Sequence, residues 1–305
     1  SILPTIYGEK IVMRLLDKSG FAYNLESLGF QKNLYKIFRE VISQPYGLII
    51  VSGPTGSGKS TSLYASLKEI KNDMINITTV EDPVEYQLEG INQVQVFDSI
   101  GLTFESSLKF ILRQDPDIIM IGEIRDREPA DVAAQAALTG HLVLSTLHTN
   151  DAPSAITRLI DMGVKPYLVA SSIQAVIAQR LIRLLCDDCK VADDNPDPKY
   201  LKIVGITEEE TTSGTIYKAV GCSKCGNLGY HGRKAIFEMM VMNNEIRELA
   251  FNRAPLGQIR QAAIRAGMRT LVQDGKIKIL RGDTTPEEIA RFAQAEALLE
   301  GNVDI

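Results

Sequence analysis

Leu48-Ile-Ile-Val-Ser-Gly53-Pro-Thr-Gly-Ser-Gly-Lys59-Ser60-Thr61 runs from an apolar strand through a glycine-rich turn into the start of a helix. The turn fits G-x-x-x-x-G-K-[ST], and its flanks are the ones that motif requires. Gly53, Gly56 and Gly58 let the backbone curl until successive N–H groups point inward, and a helix beginning near Lys59 adds the positive end of its dipole. Such a cradle binds a polyphosphate. Gly53, Pro54, Thr55, Gly56, Ser57, Gly58, Lys59, Ser60 and Thr61 are therefore expected to hold a nucleotide. Lys59 would reach the β- and γ-phosphates and the Ser60 hydroxyl would help coordinate Mg²⁺.

Outward from this turn, strand-like apolar runs recur at Ile75–Val80, Ile91–Val96, Asp117–Ile121 and His141–Ser145, with helical or loop segments between them. The alternation predicts an α/β fold with a largely parallel sheet and helices on its faces. Lys59–Ile70 places Leu63, Leu67 and Ile70 on one helical face, and Pro129 sits near the start of an Ala-rich helix that Gly140 ends.

Hydrolysis needs groups that orient water and stabilise the departing phosphoryl charge. Ile118-Ile-Met-Ile-Gly122-Glu123 looks like a Walker B strand in which Gly122 replaces the usual metal-linked Asp, leaving Glu123 as the water- or Mg-linked acid. Thr79-Val-Glu81-Asp82-Pro83-Val-Glu85 follows another apolar strand and offers a general base in Glu81 or Glu85, the alternative being a solvated carboxylate loop. His148, just past the predicted strand 141–145, stands where a donor could touch the γ-phosphate. His141 begins that strand and reads as a hydrogen-bonded structural residue.

The chain has 305 residues, is 45% hydrophobic and 23% charged, and has a mean hydropathy of −0.01, so it is sized for about two ordinary soluble domains with a substantial core. Its 33 Lys and Arg against 38 Asp and Glu give a net charge of −5, which argues against nucleic-acid partners. The apolar runs are strand-sized, short of the roughly 20 residues that span a bilayer. The start, Ser1-Ile-Leu-Pro-Thr-Ile-Tyr-Gly8, has no basic or apolar leader region and no initiator Met, so a processed chain or an excised fragment is expected.

GPTGSGKST at 53–61, TVEDPVE at 79–85, RQDPDIIMIGEIRD at 113–126 and GHLVLSTLHTND at 140–151 together resemble the secretion ATPase superfamily that drives type II secretion and type IV pilus biogenesis. The resemblance extends over nearly the whole chain. It implies a RecA-like P-loop NTPase core at 34–185 that hydrolyses ATP in a ring-shaped homohexamer. A remnant of a preceding PAS-like domain and its linker would occupy 1–33, with Tyr7–Asp17 as its last part. Within the resemblance Arg14 matches an arginine directed at the γ-phosphate, and Arg113 and Arg158 match arginines near the site or between subunits. Read without it, each would be a surface or structural ion pair. The implied setting is cytoplasmic and peripheral to the inner membrane, with a platform protein as partner and pilin or pseudopilin as indirect cargo. A nucleic-acid translocating motor is the alternative.

Cys186-x-x-Cys189 and Cys222-x-x-Cys225 form a spacing whose four thiolates can close a tetrahedral Zn²⁺ shell with no open position, a structural metal in a tetracysteine subdomain at 186–235. Two disulfides or free core thiols are the alternatives, because the intervening stretch is long for a zinc ribbon. That stretch, rich in Asp, Asn, Pro and Glu, predicts an exposed insertion. Tetracysteine subdomains mark assembly and secretion members of the resembled superfamily, whereas retraction and conjugation members generally lack them. Residues 236–305 predict a helical subdomain broken at Pro255, Gly267, Gly275, Gly282 and Pro286.

Overall fold

The computed structural model describes residues 1–13 and 24–299. Arg14 lies outside the described residues. The chain opens with an exposed antiparallel hairpin of β1 (Ile2–Thr5) and β2 (Gly8–Ile11). After α1 (Lys32–Ile42) comes β3 (Gly47–Ser52), buried throughout, and then α2 (Lys59–Ile70). The chain continues through β4 (Ile77–Glu81), β5 (Asn92–Gln95), α3 (Phe104–Ile111), β6 (Ile118–Ile121), α4 (Arg127–Leu138) and β7 (Leu142–Leu147). The five strands foreseen from apolar runs and both foreseen helices are present.

Next are α5 (Pro153–Asp161), α6 (Pro166–Ser172), β8 (Ile173–Leu185), the short pair β9 (Val191–Ala192) and β10 (Tyr217–Lys218), and β11 (Tyr230–Val241). The seven-stranded sheet has the order β11-β8-β3-β7-β6-β4-β5, parallel from β8 through β5, with β11 antiparallel to β8. It is a mixed α/β fold built on a parallel central sheet.

Period-two alternation assigns the two faces of the sheet. Leu48 and Ile50 pack with Ala133, Ala137, Ile156 and Met240 on one side, while Ile49 and Val51 pack with Leu63, Leu67, Phe38 and Phe237 on the other. The small alanines of α4 bring that helix close to the strands.

Neither β8 nor β11 was foreseen. In β8 the polar Gln179, Arg180 and Arg183 interrupt the apolar run, and in β11 Gly232 lies in the irregular pairing between Tyr230 and Arg233. Both strands outrun the sheet core. β8 ends at Leu185, beside Cys186, and β11 starts soon after Cys225, so one antiparallel ribbon carries all four cysteines away from the sheet.

The insertion between the cysteine pairs also departs from expectation. It holds α7 (Pro198–Val204) and α8 (Glu208–Ser213), and its Val204, Ile206 and Ile216 are buried with Ile182, Ile236, Leu271, Ile279 and Ile289 in a third core. Among the described residues four helices follow: α9 (Asn244–Phe251), α10 (Leu256–Arg265), α11 (Leu271–Leu280) and α12 (Pro286–Leu299). Gly275 does not break the tail; it lies inside α11. A Cβ there would stand 2.7 Å from Ile289 Cδ1 and 2.8 Å from its Cγ2, so the glycine is a contact point between α11 and α12. None of the described helices is long and apolar enough to cross a membrane.

Candidate active site

A parallel sheet aims the carboxyl ends of its strands at one edge, and the loops leaving β3, β4, β6 and β7 meet there. They enclose a cleft of about 620 Å³ lined by residues of the glycine-rich turn, Glu81, Asp82, Glu85, Tyr86, Phe104, Gly122, Glu123, Arg125, Thr146 and His148.

The turn is held from behind by a residue with no local signal in the sequence. Gln179 of β8 donates through Nε2 to Ser57 O at 2.8 Å and accepts from Ser62 Oγ at 2.8 Å, tying the turn to the first turn of α2. Gly53 adopts φ 145°, and a Cβ there would sit 2.6 Å from both Gln179 O and Ser57 Oγ, so only glycine fits. Lys59 folds back over the loop, its Nζ donating to Gly53 O at 2.8 Å and Pro54 O at 3.1 Å. Burial lowers the Lys59 pKa from the ordinary lysine value, against the raising effect of Glu123 and with help from the charge of Arg180. The buried Ser57 hydroxyl has no partner among the described residues.

Glu123 follows β6, with its Oε1 3.0 Å from His148 Nε2 and its Oε2 accepting from Arg125 Nη2 at 3.1 Å. Arg125 also reaches Asp82 Oδ2 at 3.7 Å. The strand-end position of Gly122 has a steric cause: a Cβ would stand 3.3 Å from both Glu81 Cα and Val80 O, backbone of the neighbouring strand. A Walker B Asp at this position would bring its Cβ into that tight contact with β4. His148 itself is placed by the loop after β7, which Arg180 Nη2 holds at Asn150 O (3.0 Å) and Glu238 Oε1 holds at Ala152 N (2.8 Å).

Glu81 and Glu85 have different surroundings. Glu81 is 4% exposed, and its Oε1 accepts from Thr79 Oγ1 at 2.6 Å and from Gln93 Nε2 at 3.1 Å, while Oε2 accepts from the Tyr64 hydroxyl. Glu85 is half-buried at the cleft wall. Arg113 and Arg158 are exposed, after α3 and on α5, and are not among the residues lining the cleft. His141 is bound at Nδ1 to Ala136 O at 3.0 Å, in the structural place its position implied.

Sequence reading missed Tyr64, Gln179, Arg125, Thr79 and Gln93. Arg125 sits within the 113–126 box, and Tyr64 lies four residues beyond Ser60 on the same helical face. Those signals were present. Gln179 had none, because β8 was not foreseen.

The four cysteine sulfurs lie within 4.8 Å of one another. Cys186–Cys222 and Cys189–Cys225 are 3.9 Å apart and Cys222–Cys225 3.8 Å, far beyond a disulfide bond of about 2.05 Å. Four sulfurs at about 2.3 Å from a tetrahedral Zn²⁺ stand about 3.8 Å from each other, so the donor set fits that ion. Burial raises the Cys225 thiol pKa, but the amides of Cys222 and Gly229, each donating to its sulfur at 3.2 Å, outweigh burial and bring it down to about 6.

The family described as Type II/IV secretion system protein matches residues 1–291. The chain is 50% identical over 289 residues to a type IV pilus assembly ATPase, PilB, of Thermus thermophilus, covering 95% of this chain and 32% of that protein. It is equally identical over 294 residues to the type II secretion system protein HxcR of Pseudomonas aeruginosa, covering 96% and 58%. Among solved structures, the pilus retraction motor PilT with bound ADP superposes with a TM-score of 0.68 at 26% identity, covering 95% of this chain and 72% of that one. The chain spans between about a third and three-fifths of the curated relatives' length. Matched by the family's model over residues 1–291 and half-identical to these relatives across nearly its full extent, the chain belongs to the type II/IV secretion system protein family.

Proposed function

We propose that this chain is the ATP-hydrolysing part of a homohexameric motor that assembles a type IV pilus or a type II secretion pseudopilus. The observation that carries the reading is the convergence of Lys59, Ser60, Glu85, Glu123 and His148, from four separate segments, on one cleft at the carboxyl edge of the sheet. Lys59 leaves the Gly53 and Pro54 carbonyls to meet the β- and γ-phosphates, and the loop amides of residues 53–61 hold the rest of the polyphosphate. Bound Mg²⁺ supplies charge neutralisation on the phosphate oxygens, and Ser60 and Glu123 are the residues that hold it.

Glu85 orients the attacking water and takes its proton as the γ-phosphoryl leaves ADP. Glu81 is the poorer base, since both of its oxygens already accept hydrogen bonds in a buried setting. His148 and Arg14 sense γ-phosphate charge, and Arg113 acts from a subunit edge. The four cysteines hold Zn²⁺ as a clasp at the tip of the β8–β11 ribbon, closing a tetracysteine subdomain at 186–235 between a RecA-like core at 34–185 and a helical subdomain at 236–305. The names of the 50% identical relatives, and the cysteine cluster, favour assembly or secretion over retraction. The motor then works in the cytoplasm on an inner-membrane platform protein, with pilin or pseudopilin as indirect cargo.

Phosphate release from Mg·ATP, compared between the protein and its Lys59→Ala and Glu123→Gln variants, tests the chemistry. Turnover unaffected by either change overturns it. Salt-dependent DNA binding in a filter assay, with DNA-stimulated turnover, would replace filament assembly by nucleic-acid translocation.

A further inference from the structure

We propose that Tyr64 is the positioning residue that sets the water-orienting carboxylate of Glu85 against the bound phosphates, an inference that rests on the hydrolytic reading above. Tyr64 lies on α2, the helix whose first residues, Lys59 and Ser60, form the phosphate end of the cleft. Four residues separate it from Ser60, so both side chains leave the same helical face.

Its hydroxyl, on a side chain only 2% exposed, makes two bonds of opposite sense. It donates to Glu81 Oε2 and accepts from the backbone N–H of Glu85 at 3.3 Å. One oxygen atom thereby joins the phosphate-binding helix to both ends of the acidic segment that follows β4.

The rest of that segment is held from the other side, by the edge strand. Gln93 Nε2 donates to Glu81 Oε1 at 3.1 Å and Tyr86 O at 3.2 Å, its Oε1 accepts from Leu88 N at 2.6 Å, and Gln95 Oε1 accepts from Val84 N at 3.3 Å. The Tyr64 ring packs edge-on against Tyr86, with centroids 4.5 Å apart. β5 thus fixes the loop to the sheet, and the Tyr64 hydroxyl fixes its acidic start to the helix that grips phosphate. Burial, together with the adjoining Glu81 carboxylate, drives the Tyr64 hydroxyl far above the ordinary tyrosine range, so it remains a donor at any working pH. Buried Glu81 then serves as the anchor for this donor while Glu85 faces the cleft. A shift of α2 on phosphate binding is passed directly to the Glu85 backbone.

The test is the set Tyr64→Phe, Glu85→Gln and the double variant, assayed for Mg·ATP turnover at saturating and limiting ATP. Tyr64→Phe keeps the ring and removes only the hydroxyl. The expected result is a fall in kcat of about tenfold or more with KM within about twofold, and no further fall when Tyr64→Phe is added to Glu85→Gln. Unchanged kcat in Tyr64→Phe, or the same fractional loss in the Glu85→Gln background, overturns the role of Tyr64. Turnover that stays at the unsubstituted rate in both Glu123→Gln and Glu85→Gln overturns instead the reading on which it rests. Hydrogen exchange at the Glu85 amide gives a second readout that needs no turnover: faster exchange in Tyr64→Phe at unchanged melting temperature is expected, and unaltered protection overturns the bridge.

Discussion

His148 Nε2 stands 3.0 Å from Glu123 Oε1, joining the carboxyl ends of two adjacent parallel strands across the floor of the cleft. Arg125 Nη2 donates to its other oxygen at 3.1 Å, so both carboxylate oxygens of Glu123 are held. A carboxylate held in this way loses little further freedom when it acts, which is the physical content of preorganisation.

On the proposed chemistry, Glu123→Gln keeps the shape of this side chain and removes its charge. We expect turnover to fall by roughly 10²–10³-fold while a fluorescent ATP analogue still binds within a few-fold of the original affinity. A parallel loss of affinity and turnover would assign Glu123 to ground-state binding.

Gly122→Ala addresses the strand spacing beside it. The added Cβ meets the backbone of Val80 and Glu81 at 3.3 Å, and β4 is paired on both sides, with β5 and β6, which limits how far that backbone can yield. Overpacking of this kind costs about 1–3 kcal/mol. Thermal melting should show that loss, and an unchanged melting temperature would mean that β4 has room to move.

Glu288 of α12 accepts from Arg183 N at 3.1 Å and Arg183 Nε at 3.0 Å, with the guanidinium 4.2 Å from the Tyr230 ring centroid. Burial raises the Glu288 pKa, but the Arg183 bonds outweigh it and the net shift is downward. A depressed carboxylate stabilises the fold above its unfolded value of about 4.3 and loses that contribution as pH falls through the folded value. Glu288→Gln should therefore cost about 1.5–3 kcal/mol near neutral pH, with the gap to the unsubstituted protein closing below the ordinary carboxylate range. Urea titrations at several pH values measure it, and a pH-independent gap would contradict the assignment.

Zinc content offers a direct check on the cysteines. Protein purified under reducing conditions should hold near-stoichiometric Zn²⁺, and chelation should loosen the β8–β11 tip and the third core that Ile182 and Ile236 share with the insertion. Limited proteolysis within 186–225 after chelation reads this out. Metal-free protein with full resistance would leave the sulfurs as packed thiols.

The glycine-rich turn, its strand and its helix were legible along the chain because each rests on neighbours in sequence: glycines that permit unusual φ, apolar alternation, a helix start. The positions of Glu123 and His148 at strand ends followed from the same local pattern. The four cysteines declared their grouping by spacing alone. Tertiary structure decided what depends on residues far apart. Gln179 reaches Ser57 and Ser62 only because β8 lies beside β3, Gly122 is pressed against the backbone of β4, and Gly275 against Ile289 on the next helix. Glu81 and Glu85 look alike as letters, and the hydroxyl of Tyr64 and the amide of Gln93 distinguish them. The physical reason is range: backbone preference acts over a few residues, whereas steric fit and the satisfaction of buried polar groups are set by whatever the fold brings alongside.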